Sequence, residues 1–365
     1  MSPTLAERAP EVADKLALMR QWLGATGAGA LRLRGVDWFA WAPAGGSSAV
    51  LHTAEVGVAE VLVTPGEACI LTDEIEAARL RDEEIPPGFT FHIAPWAETD
   101  RREQYVTGAA NGGAVISDRP NGTELALPST ARQQRMVLSA PEQQRYRALG
   151  AAAASAMSEA LRQARPDWTE YDLAAAGAQA LWRRGIHPAL VLAAGAGRLP
   201  QYRHPTPAGQ PLGKQAMLVF CARRNGLYAN LTRFVTFDQA PAGQHELMGV
   251  EATGLAACVP GNSLAAVYHA LDHAYRHADR PEAIREHHQG GVTGYQAREL
   301  LASPSTALQL EPGMAFAFNP SLRGLKIEDT FLLGEDGLEN LTADPEWPSV
   351  EFQGRLRPLW LEATC

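Results

Sequence analysis

The residues best suited to chemistry gather in the second half of the chain, in four short frames: Leu227-Tyr-Ala-Asn-Leu-Thr-Arg233, His287-His-Gln-Gly-Gly291, Glu311-Pro-Gly-Met-Ala-Phe-Ala-Phe-Asn-Pro320 and Lys326-Ile-Glu-Asp329. A hairpin with two acidic groups, a histidine on a separate element and two carboxylates on a terminal hairpin would hold two divalent ions. Such a pair polarises a carbonyl and makes hydroxide from a bridging water. To that task these frames bring His288 and Glu328, beside the neutral amides Asn230 and Asn319. One imidazole and one carboxylate are too few for a tight zinc, manganese or cobalt site, which needs at least three protein groups. No metal and no other cofactor is therefore expected.

The elements that must position these frames are legible from pattern. Ser139-Ala-Pro-Glu142 reads as a helix start running to about Gln163, and Asp167-Trp-Thr-Glu170 starts a second helix ending at Arg184-Gly185. A strand through Gly213–Cys221 turns at Asn225-Gly226, a strong hairpin signal, into a second strand reaching Phe237. Helices are expected over 242–258 and 262–277, followed by strands carrying Asn319 and Glu328. Ahead of all this, an apolar stripe of Val12, Leu16, Met19 and Leu23 predicts a helix over 11–24. Strands are expected at 29–33, 49–53, 59–63, 68–71, 90–93 and 113–117, with a helix around 74–83. Residues 108–131, rich in Gly, Pro, Asn and Ser, read beyond that last strand as a connection between domains.

Bulk properties exclude several function classes. A chain of 365 residues, 46% apolar and 20% charged, has the composition of a soluble globular protein with room for two domains. Its net charge of −9, without a basic cluster, disfavours a nucleic-acid partner. The start lacks an apolar signal core and no apolar run nears ~18 residues, so a cytoplasmic protein without a membrane span is expected. Cys69, Cys221, Cys258 and Cys365 have no paired spacing and read as reduced thiols.

Asn-Leu-Thr-Arg233 is similar to the Asp-x-Thr-Arg of the M24 family, the creatinase, aminopeptidase P and methionine aminopeptidase group. The order and spacing of the frames resemble that family over almost the whole chain. The resemblance implies an α+β pita-bread domain over 131–365, preceded over 1–130 by an α/β domain of the creatinase and prolidase type. It places the family's first metal aspartate at Val219, eleven positions before the second at Asn230. The metal histidine falls at His288, the first glutamate at Asn319 and the last at Glu328. A further histidine of the family falls at Tyr295, and an upstream substrate-contacting histidine falls at His204. A homodimer is implied by the same resemblance.

Charge balance makes the replacements coherent. Four clustered carboxylates are tolerable only with ~+4 of metal charge among them. With three of the four replaced by neutral residues, an empty site is nearly balanced, and Glu328 is free to pair with His288 or an arginine. Val219, Asn230, Tyr295 and Asn319 would then line a pocket for a small peptide or amino-acid-like ligand, without Xaa-Pro hydrolysis. One alternative is a metal-independent hydrolase of C–N bonds, of creatinase type, in which His204, His288 and Glu328 are catalytic. Another is a protein-interaction scaffold. Cys221, which shares a strand face with Val219, reads as a buried inert thiol. His269, His273 and His277 read as a solvated helical stripe, and Arg223-Arg224 as a solubilising turn.

Overall fold

The computed structural model describes residues Pro3–Ala363, and the chain divides into two compact units, Met1–Arg135 and Met136–Cys365. Cys365 lies outside the described residues.

In the first unit, α1 (Ala9–Thr26) buries Val12, Leu16, Met19 and Leu23, as their spacing demands, and stops at Gly27. Its sheet has the order β4-β3-β2-β1-β5-β6, formed by β1 (Ala30–Gly35), β2 (Val56–Val63), β3 (Ala68–Asp73), β4 (Thr90–Ala94), β5 (Val115–Ser117) and β6 (Leu125–Ala126). Residues 49–53, expected as a strand, form bends and a turn. The edge of β1 that such a strand would need is taken by β2, and Leu51 is left 67% exposed. Nor are residues 118–126 a free connection, because Leu125–Ala126 adds a parallel strand beside β5. Among the helices that escape the sequence pattern are two in this unit. The first, α2 (Val36–Trp41), is buried on most of its surface and stacks Trp41 on Trp22. The second is α3 (Asp100–Ala109), which buries only Val106.

In the second unit, α4 (Ala140–Arg162) starts at a capping box in which Ser139 and Glu142 satisfy each other's backbone, and α5 (Glu170–Trp182) starts at another formed by Thr169 and Asp172. Next come β7 (His187–Gly195), β8 (Gln215–Arg224) and β9 (Leu227–Thr236), an antiparallel run. The β8–β9 turn has φ of 50° at Asn225 and 80° at Gly226, the left-handed pair that a two-residue hairpin requires. The apolar faces of α6 (Gln244–Ala257) and α7 (Leu264–His277) share a core with Val292, Phe316, Phe318 and Phe331. Those four residues belong to a second sheet of order β11-β10-β12-β15-β16: β10 (Gly290–Thr293), β11 (Leu300–Leu301), β12 (Ala315–Phe318), β15 (Asp329–Gly334) and β16 (Gly337–Asn340). Between its strands, β13 (Ser321–Leu322) and β14 (Leu325–Lys326) form a small hairpin. A Cβ at Gly290 would lie 2.0 Å from the Ala317 carbonyl oxygen, so β10 is admitted between its neighbours only as glycine. Among the described residues no helix is long and apolar enough to cross a membrane.

Candidate functional site

The β8–β9 hairpin sets Val219 opposite Thr232 and Cys221 opposite Asn230. The strand leading into β15 closes on the hairpin: the Thr232 amide donates to the Glu328 carbonyl, and the Asn230 amide donates to Thr330 Oγ1 at 2.8 Å. This junction brings Asn230 and Glu328 into one region. Asn230 is wholly buried; its Nδ2 donates to Thr293 Oγ1 at 2.9 Å while its Oδ1 has no hydrogen-bond partner among the described residues. Asn319, at the end of β12, is buried too, and its Oδ1 is likewise unpartnered.

Glu328 is buried and fully engaged. Arg298 Nη2 donates to Oε1 at 2.6 Å, Thr232 Oγ1 donates to Oε2 at 2.7 Å, and Lys326 Nζ lies 2.7 Å from the same Oε2. Burial opposes ionisation, but the two cations outweigh it and hold the carboxyl well below its usual range. The carboxylate therefore pairs with an arginine, one of the two partners expected, and also with a lysine.

Three imidazoles border this cluster. His204 is exposed on the segment between β7 and β8, His287 is buried, and His288 is intermediate. His287 Nδ1 lies 2.6 Å from the His288 carbonyl oxygen, which fixes its proton there and leaves Nε2 to accept from His204 Nε2 at 2.9 Å. The Gly290 amide donates to His288 Nδ1 at 3.2 Å. Burial, and then the nearby Lys326, pushes His287 down to about 3; burial, and then Arg298, pushes His288 to about 4. His204 is lowered for the same reasons, burial first and Lys326 next. At neutral pH all three rings are uncharged.

Two of the residues expected to line a pocket are committed elsewhere. Val219 packs in an apolar cluster with Met217, Phe234, Leu325 and Ile327, because its strand face is the face of the core. Tyr295 is buried, and its hydroxyl donates to Glu142 Oε1 at 2.6 Å, tying it to the start of α4. The Cys221 thiol is pushed by burial up to about 11, so it stays protonated and inert. His287, Arg298 and Lys326 are the residues that sequence reasoning passed over. Two of them were in view, one beside His288 and the other two positions before Glu328. Arg298 carries no local signal, since only folding brings it to Glu328.

These residues do not fit a two-ion centre. Val219 offers no donor atom, two positions offer only neutral amides, and both oxygens of Glu328 already have cationic partners. The near-neutral balance expected from the sequence needs correction as well. The charges acting on His204 and His288 are Lys326, Arg298 and Glu328, two positive against one negative.

Comparison with known proteins places the chain. Its structure is similar to an Xaa-Pro dipeptidase from Bacillus anthracis (TM-score 0.77, 14% identity, 96% of this chain and 99% of that one). It is equally similar to the dipeptidase PepE from Mycobacterium ulcerans (TM-score 0.77, 20% identity, 97% and 98%). The N-terminal domain of FACT complex subunit SPT16 from Cicer arietinum also matches (TM-score 0.68, 14% identity, 93% and 96%). At such identities the likeness shows the fold alone, and that fold is the expected pita-bread domain preceded by an N-terminal domain. No curated protein matches the sequence. The sequence profile of metallopeptidase family M24 matches residues 144–335, more than half of the chain, and the protein belongs to that family.

Proposed function

We propose that this M24 member has lost the dinuclear centre and with it Xaa-Pro hydrolysis, and that its site binds a small peptide or amino-acid-like ligand. The observation that carries this reading is the state of Glu328: the one carboxylate left at the family's ligand positions is occupied by Lys326, Arg298 and Thr232. Asn230 and Asn319 add buried carbonyl oxygens that lack donors, which a ligand N–H would satisfy. The test is hydrolysis of Xaa-Pro dipeptides by purified protein supplied with Mn2+ or Co2+, alongside thermal shifts with dipeptides and free amino acids. No turnover together with a ligand-dependent shift is expected. Turnover that disappears in Glu328→Ala would overturn the reading.

The His204–His287 hydrogen bond favours a second reading, metal-independent C–N hydrolysis, because it leaves His204 Nδ1 as a free base. Turnover of creatine-like substrates in the presence of chelator, lost in His204→Ala, would select it. The homodimer and cytoplasmic location belong to the main reading, and sedimentation at micromolar concentration tests the dimer.

A further inference from the structure

His204, His287 and His288 each offer one ring nitrogen, and the three nitrogens lie within 4.8 Å of one another. No other group of three or more potential ligands lies so close among the described residues. We infer that these imidazoles form a mononuclear site for an ion that favours nitrogen ligands, zinc, copper or nickel, with a ligand set that overlaps the family's two-ion centre only at His288.

Geometry supports the assignment. A tetrahedral zinc ion with Zn–N bonds of about 2.0–2.1 Å holds neighbouring nitrogens roughly 3.3 Å apart. His204 and His287 present their Nε2 atoms 2.9 Å apart, so a shift of a few tenths of an ångström, with the His204 proton passing from Nε2 to Nδ1 through solvent, opens the hydrogen bond they share into a coordination edge. The supporting contact is already in place. His287 Nδ1 is held by the His288 carbonyl, the kind of outer partner that fixes a ligating ring's tautomer and aims its free nitrogen. His288 gives up only the long 3.2 Å contact from the Gly290 amide if it turns to coordinate through Nδ1. Because His204 is exposed, three protein ligands leave a position open to solvent or to a ligand.

The flanking charges shape the affinity. Lys326 and Arg298 are both drawn onto Glu328, and their net surplus of one positive charge opposes a dication. Removing Lys326 must therefore tighten metal binding, which a merely adventitious histidine site elsewhere on the surface would not show.

The assignment shares only His288 with the family's ligand positions and does not depend on a ligand for the proposed pocket. It is tested on the full chain, stripped with chelator, in a background with His269, His273 and His277 replaced by glutamine to remove that exposed stripe. Zn2+ is titrated calorimetrically and Co2+ by its visible absorption. One ion per chain is expected. His204→Ala and His287→Gln should each weaken binding by more than about 100-fold, the upper end of what loss of even a supporting group costs a metal site. Lys326→Met should strengthen it several-fold. His204 is exposed, so its variant keeps the test open should His287→Gln fold poorly. No bound ion, or binding indifferent to both histidine variants, would overturn the assignment. Two ions per chain that depend on Glu328 would overturn the loss of the dinuclear centre proposed above.

Discussion

Glu328 and Asp329 are neighbours in one Ile-Glu-Asp run, yet they serve different ends. Asp329 is enclosed by the fold: Arg233 Nη2 and Thr342 Oγ1 reach Oδ1 at 2.6 and 2.7 Å, and Arg357 Nη1 lies 2.9 Å from Oδ2. Arg357 is bound in turn to both oxygens of Glu251. Every member of that network is buried. Glu328 turns to the other side, toward Lys326, Arg298 and the imidazoles, one of which is open to solvent. The difference teaches that adjacent carboxylates of one motif need not share a role. Strand alternation sends one carboxylate into the architecture and the other into the site, and only their partners tell what each does.

Asp329→Ala should be the most damaging change. It leaves the buried Arg233 without an anion and strips Arg357 of one of its two, and chemical denaturation should register a loss of about 3–5 kcal/mol. A loss below about 1 kcal/mol would erase the contrast. Glu328→Gln should cost less, about 1–3 kcal/mol, because water reaches the imidazole side and can solvate Lys326 and Arg298. Equal costs for the two variants would mean that the Glu328 side is as closed as the other.

Acid should also act mainly on the imidazole side. His287 and His288 fall from an ordinary 6.5 to about 3 and about 4, so the unfolded chain binds their protons first. In the chelated protein their stabilisation is complete above about pH 6.5 and is lost as the pH falls toward 4, at up to about 1.4 kcal/mol per pH unit for each ring. Denaturation curves between pH 4 and 7 should show this slope, and His287→Gln should flatten it. An unchanged slope would assign the acid sensitivity elsewhere. The smallest effect, about 1 kcal/mol, is expected for Thr232→Val, which removes one hydrogen bond from Glu328 and leaves both cations in place. A collapse of the fold in that variant would show that Thr232 is structural.

Much of the fold was legible because local chemistry and tertiary structure agree there. Ser139 with Glu142, Thr169 with Asp172, and Asn225-Gly226 each state their backbone geometry within four residues. Where burial is decided at long range, pattern failed. The α2 helix holds its tryptophans against Trp22 with no periodic run to announce it, and 49–53 has a strand's composition but joins no strand, β1 being flanked by β2 and β5. The site divides in the same way. His288, Asn230, Asn319 and Glu328 stand in readable frames, whereas Arg298 is thirty residues from the carboxylate it neutralises. Val219 shows the opposite limit: spacing located the position, and only packing revealed an apolar environment around it.

The Tyr295–Glu142 bond ties the second sheet's loop to the start of a helix. Glu142 Oε2 accepts from the Ser139 amide that opens α4, while Oε1 accepts from the phenol. Placing a histidine at 295 would withdraw a hydroxyl from the first turn of a long helix, so that position answers to the fold before it answers to the site. Position 295 is thus a fastening of the scaffold, and the side chain there is set by the helix it helps to start.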